Sequence, residues 1–330
     1  MNGARVRRWT PGRITLIALM VVLWLLLGLL IWQRQAVADW WRLRDYTPPA
    51  EVAQLAQDTT MSPLGQKLFY VYQPRIEPSS EFNEHCQAGG KEFTIVLGCY
   101  VSRQGIYLFR VEDDRLGGIE QVTAAHEMLH VAYERLSAGE RERVDRMLAQ
   151  AYAGVSNERI RRNVEQYRAA DPSVVPNELH SILGSEQANL PEELEEYYAQ
   201  YFADRQKIVE YSQQYETEFT RREEQANALA AELNTLRPQI ESNTAELQSE
   251  AARLQAEYAA IEADRASASN AELAQRARSY NAAVAQYNTL AAGTRTSIER
   301  YNSIVEQYNA VVLEQRALYN AIDSTPETIE

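Results

Sequence analysis

The chain has 330 residues, 45% of them apolar and 24% charged, enough to bury one or two cores and too apolar for a disordered protein. A net charge of -13 repels phosphate backbones and argues against nucleic acid as a partner. The two cysteines, Cys86 and Cys99, are too widely spaced for a C-x-x-C redox or zinc-knuckle pattern. Outside the cytoplasm their natural reading is one disulfide closing a short loop, the other reading being two buried thiols.

The first predicted element is apolar. Residues 14–32 (ITLIALMVVLWLLLGLLIW) carry no charge, and as a helix they would cover about 28 Å, close to the ~30 Å hydrocarbon core of a bilayer. Arg5, Arg7, Arg8 and Arg13 precede the run; Arg34, Arg42 and Arg44 follow it, mixed with Asp39 and Asp45. This pattern predicts a cytoplasmic tail at 1–13, a transmembrane helix at 14–32 and an extracytoplasmic remainder, as in a single-pass protein of the cell (inner) membrane. Trp32, Trp40 and Trp41 suit an interfacial belt. The competing reading is a cleaved signal peptide ending at Ala36-Val37-Ala38, but the apolar run is longer than a usual h-region.

Beyond Pro48-Pro49 a short helix is predicted at 49–57. A second opens at Ser62-Pro63, an N-cap followed by proline at the first helical position, and runs to about Tyr72. Residues 79–92 read as a polar loop. Phe93 to Leu97 and Ile106 to Val111 read as strands, being β-branched and aromatic. Helices are predicted at 119–136, 138–153 and 156–169. A short helical piece, Asn177 to Leu183, ends at Gly184, and Pro191 starts a long helix.

From Leu229 the apolar spacing is regular. Leu229, Leu233, Leu236, Ile240 and Leu247 give way later to Tyr280, Val284, Tyr287, Ala291, Thr294, Ile298, Tyr301, Val305, Tyr308 and Val312. Heptad spacing on both sides of the turn residues Ser267 to Asn270 predicts an antiparallel helical hairpin over 206–322. The same heptads would also suit pairing with a second chain. Pro238 is expected to bend or interrupt the first helix. The Tyr-Asn pairs at 280–281, 287–288, 301–302 and 308–309 read as tyrosines filling a roomy coiled-coil core.

Chemistry concentrates in His126-Glu127-Met128-Leu129-His130. On a helix this HExxH pattern puts two imidazoles one turn apart on one face, where both can bind one zinc ion. Glu127 stands beside them as a general base for metal-bound water. In a chain with four histidines a chance match is on the order of one in a few hundred. A third ligand is required, with an open position left for water. Asn177-Glu178-Leu179-His180-Ser181 offers Glu178; Glu186 and Glu196 are alternatives. The strand at 106–111 is expected to line the cleft as an edge to which a peptide could pair. His180, Tyr197 and Tyr198 are candidates for stabilising an oxyanion. His85, beside Cys86, reads as a loop residue.

HExxH followed by Asn-Glu-x-x-Ser resembles the gluzincin, or thermolysin-like, zinc metallopeptidases. The resemblance implies an α+β zincin-like domain over 47–205, one Zn2+ bound by His126, His130 and Glu178, and Glu127 as base. Two departures stand out. Ile182 occupies the place of the expected aspartate, so the carboxylate that would orient a ligand histidine must come from elsewhere. The interval from His130 to Glu178 is also longer than in thermolysin. The expected architecture is therefore mainly α with a small β-sheet, an N-terminal transmembrane helix and a C-terminal hairpin. The expected activity is cleavage of a protein or peptide substrate by a membrane-anchored enzyme. The alternatives are a membrane-tethered coiled-coil scaffold with a structural or vestigial zinc site, and a non-proteolytic zinc hydrolase acting on an envelope polymer.

Overall fold

A computed structural model describes residues 11–86 and 97–324. A helix, α1, forms over Pro11–Trp32. Even so, among the described residues no helix is long and apolar enough to cross a membrane. The transmembrane helix expected at 14–32 is thereby overturned, and with it the expected single-pass location in a cell membrane and the expected membrane anchor. Leucine, alanine and methionine are strong helix formers in their own right, so the formation of α1 does not require a bilayer. Most of the expected tail at 1–13 lies outside the described residues.

The chain divides into two compact units, Met1–Gln214 with Asp323–Glu330, and Tyr215–Ile322. In the first unit α2 (Arg34–Leu43) is followed by α3 (Ala50–Asp58) and α4 (Pro63–Val71). Ser62 caps α4 by accepting from the Gly65 amide at 3.1 Å, as the Ser-Pro signature predicts. The stretch expected as a loop at 79–92 instead contains a helix, α5 (Ser79–Cys86). Its Phe82 and Cys86 are buried against Cys99, Tyr107 and Phe109, so tertiary burial outweighs the polar local composition. A disulfide joins Cys86 to Cys99.

The sheet has three strands, β1 (Arg75–Glu77), β2 (Gly98–Val101) and β3 (Gly105–Phe109), in the order β1-β3-β2. β1 runs parallel to β3 and β2 antiparallel to it. The expected strand at 106–111 is thus the central one, buried along its whole length, and not a cleft edge. Of the strand expected at Phe93 to Leu97, all but Leu97 lies outside the described residues.

Helices α6 (Ile119–Glu134), α7 (Ala138–Ala153), α8 (Glu158–Ala170), α9 (Val175–Glu186) and α10 (Glu192–Tyr198) build the rest of this unit. α7 opens on a capping box between Ser137 and Glu140. α9 runs through Gly184 rather than ending there: a Cβ on Gly184 would lie 2.5 Å from Leu129 Cδ1 and 2.7 Å from Tyr198 Cε1. The glycine admits close packing on α6 and is not a stop signal. The long helix expected from Pro191 is broken after α10, where Met61 and Phe202 form a β-bridge. At the other end of α6, Arg135 donates to both oxygens of buried Asp39 on α2, at 2.8 and 2.9 Å.

α11 (Gln206–Ala263) and α12 (Asn270–Ile322) are the long C-terminal helices. α11 continues through Pro238, which costs it one internal hydrogen bond without ending it. Within the second unit Phe219 packs on Tyr319, Arg222 reaches Glu314 at 3.5 Å, Glu232 pairs with Arg300, and Tyr258 meets Tyr280. Early α11 thus faces late α12, the pattern of an antiparallel hairpin. Ser269 and Glu272 cap the second arm reciprocally. Tyr280, Tyr287, Tyr301 and Tyr308 are half-buried on the inner face. Ile298, a member of the expected seam, is 40% exposed, and the buried row continues through Ile304, Val311 and Leu318. The row therefore makes one short step near residue 297, as in a coiled-coil stammer.

Candidate metal centre

α6 begins at Gly118, whose φ of +98° only glycine adopts without strain, and its middle is almost fully buried. Ala124 and Ala125 bring the helix close to its neighbours, and its histidines project from one face. The rings of His126 and His130 lie 4.7 Å apart and nearly perpendicular. From the first turn of α9, Glu178 enters the same space. Its Oε2 is 3.8 Å from Nε2 of His126 and 3.8 Å from Nε2 of His130. Ligand atoms of all three residues lie within 4.8 Å of one another, a grouping that could hold a metal ion.

The residues fit that role on two grounds. Two donors on a tetrahedral ion with bonds of ~2.0–2.1 Å stand roughly 3.4 Å apart, so the two 3.8 Å spacings between Glu178 and the histidines need only a small contraction. Glu178 Oε2 is also buried without a hydrogen bond, an arrangement that costs stability unless a cation faces it. Burial pushes the Glu178 carboxyl up, but the His130 and His126 imidazoles and the Tyr167 hydroxyl together outweigh it and hold the group below the usual carboxylate value. Burial lowers the pKa of His130 against the opposing pull of Glu178, which favours the neutral imidazole that binds metals.

A hydroxyl and an amide, Ser181 and Asn177, flank His130. Ser181 Oγ, fully buried on α9, lies 3.1 Å from His130 Nδ1. With Nε2 turned to the centre, Nδ1 carries the proton and donates it to Ser181, which fixes tautomer and ring angle. The serine of the Asn-Glu-x-x-Ser pattern therefore serves where a carboxylate was expected.

Glu127 is 2% exposed and lies under β2. A Cβ on Gly98 would stand 2.8 Å from Glu127 Oε1 and 2.5 Å from Thr123 Cγ2, so only glycine lets the strand pass this close. Neither Gly98 nor Tyr167 was visible as a site residue in the sequence, because both act across long separations.

No family model matches this chain, and no curated protein or solved structure matches it either.

Glu186 is paired with Arg159 and Glu196 is exposed, so neither alternative third ligand joins the group. His180 is buried, with Nε2 at 2.9 Å from Tyr197 Oη, while Tyr198 Oη donates to the His180 carbonyl at 2.7 Å. Burial, with His130 and His126 nearby, pushes His180 down to about 3. These contacts bind α10 to α9. His85 sits on α5, its Nδ1 2.8 Å from Glu77 Oε2 and its ring stacked on Tyr107. Cys86 is in the disulfide and offers no thiolate.

Proposed function

We propose that the chain is a zinc-dependent endopeptidase. The observation that carries this reading is the meeting of His126, His130 and Glu178 on two helices, with the Glu127 carboxylate one residue from the first histidine. Two imidazoles and one carboxylate suit zinc. The likeness of the two motifs to the gluzincins supports the same reading.

A zinc ion in this site would supply an acidified water and a Lewis acid for the carbonyl of the scissile bond. Glu127 would take the proton of that water as the water oxygen bonds to the carbonyl carbon, and would return it to the amide nitrogen as the C–N bond breaks. Ser181 and Tyr167 hold His130 and Glu178 in position.

The test uses the full chain. The parent and Glu127→Gln should each bind one equivalent of zinc, while cleavage of an unfolded protein substrate falls by at least ~10²-fold in the variant. Glu178→Ala should lose the metal and Glu186→Ala should keep it. Zinc retained by a parent that cleaves no peptide bond would refute the peptidase and leave a structural centre.

A further inference from the structure

The helices that carry the ligands are both met by the segment where α11 begins. α9 ends at Glu186, which leaves its last carbonyls without helical partners. Arg205, 5% exposed, takes up that end. Its Nη1 donates to the carbonyls of Gln187 at 2.7 Å, Leu183 at 3.3 Å and Gly184 at 3.4 Å, and Nη2 donates to Ala188 at 3.1 Å. Nε donates to Glu195 at 2.8 Å, and Nη2 also pairs with that carboxylate. One guanidinium thus closes the C-terminal end of α9, where a positive charge also complements the helix dipole.

Six residues on, Tyr211 lies against the start of α6. A Cβ on Gly118 would stand 2.9 Å from both Cβ and Cδ1 of Tyr211. Ile208, Val209 and Ser212 between and beside these two contacts are buried.

We propose that the segment 205–214 is a positioning element for the metal centre, with Arg205 fixing α9 and Tyr211 fixing the start of α6. Together they set where Glu178 stands relative to His126 and His130. This rests on the metal-centre reading given above. Neither residue is a ligand; both act through the helices they hold. The demand is strict because metal–ligand distances tolerate only about 0.2 Å. Linkage then requires the converse, that metal binding at the ligands stabilises 205–214.

The experiment uses the full chain and zinc alone as the probe. Zinc affinity is measured by competition with a chromophoric chelator for the parent, Arg205→Lys, Arg205→Met and Tyr211→Ala, each at a temperature where circular dichroism shows it folded. Arg205→Met and Tyr211→Ala should weaken zinc binding tenfold or more. Arg205→Lys should fall between them and the parent, since an ammonium cannot span the same fork of acceptors. In the unaltered chain, amide exchange at 205–214 should slow on adding zinc, and this slowing should vanish in His126→Ala. If a variant does not fold, the exchange arm decides. Parent-like zinc affinity in both folded variants, or exchange at 205–214 indifferent to zinc while the parent binds it, overturns the proposal and leaves the metal centre standing. A parent that binds no zinc overturns both.

Discussion

Replacing Gly184 with alanine sets two effects against each other. In a helix interior alanine is favoured over glycine by about 0.8–1.0 kcal/mol. Against this, the new Cβ would stand 2.5 Å from Leu129 Cδ1 and 2.7 Å from Tyr198 Cε1. The optimum for such carbon contacts is ~3.5–4.0 Å, so α9 must back away from α6 by roughly 1 Å. Leu129 and Tyr198 are each 0% exposed and cannot swing into solvent to make room. Overpacking of this kind costs ~1–3 kcal/mol, which leaves a net loss of roughly 0–2 kcal/mol after the propensity gain. The effect on the metal should be larger than the effect on the fold. Glu178 rides on the same helix as Gly184, and Leu129 adjoins His130, so a retreat of ~1 Å is several times the ~0.2 Å that coordination tolerates. Urea melts without metal measure the first quantity, and a chelator competition the second. We expect slight destabilisation and zinc binding weakened at least tenfold. A variant stabilised by about 1 kcal/mol with parental zinc affinity would show that propensity wins and that α9 is not held hard against α6.

Other outcomes follow from neighbouring contacts. Ser181→Ala removes the hydroxyl 3.1 Å from His130 Nδ1 and should lower zinc affinity ~10–100-fold in a titration, with the secondary structure unchanged. Gly98→Ala drives a methyl into Glu127 and Thr123, so peptide cleavage should fall further than zinc affinity when both are measured on one preparation. Replacing Cys86 and Cys99 together with serine should cost about 3 kcal/mol in a denaturant melt, as expected for a loop of this length.

What could be read from the sequence was what is local. Ser62-Pro63 announces a helix start because cap and first turn lie within four residues, and 138–153 is bounded by Ser137 and Gly154 in the same way. The spacing of His126 and His130 follows from helical pitch alone. Long-range relations were not legible. Gly184 was read as a stop by its local rule, whereas the shape of α6 and α10 against it decides its role. The strand at 106–111 was recognisable as a strand, but its central place depends on β1 and β2, two short segments without a periodic pattern. The hydroxyl on His130 was hidden for the same reason: Ser181 lies on another helix, 51 residues away. At 14–32 the composition alone suggests a membrane span, but among the described residues no helix is long and apolar enough to be one.

β2 is tied down along its length. The disulfide holds Cys99, Gly98 is pressed on α6, and Tyr100 and Ser102 donate to Glu134 at the far end of that helix. Its outer side has no paired strand among the described residues. Ordering backbone costs ~1–2 kcal/mol per residue, and for this strand that loss was met when the protein folded. The strand beside Glu127 therefore holds its shape through contacts within the fold alone.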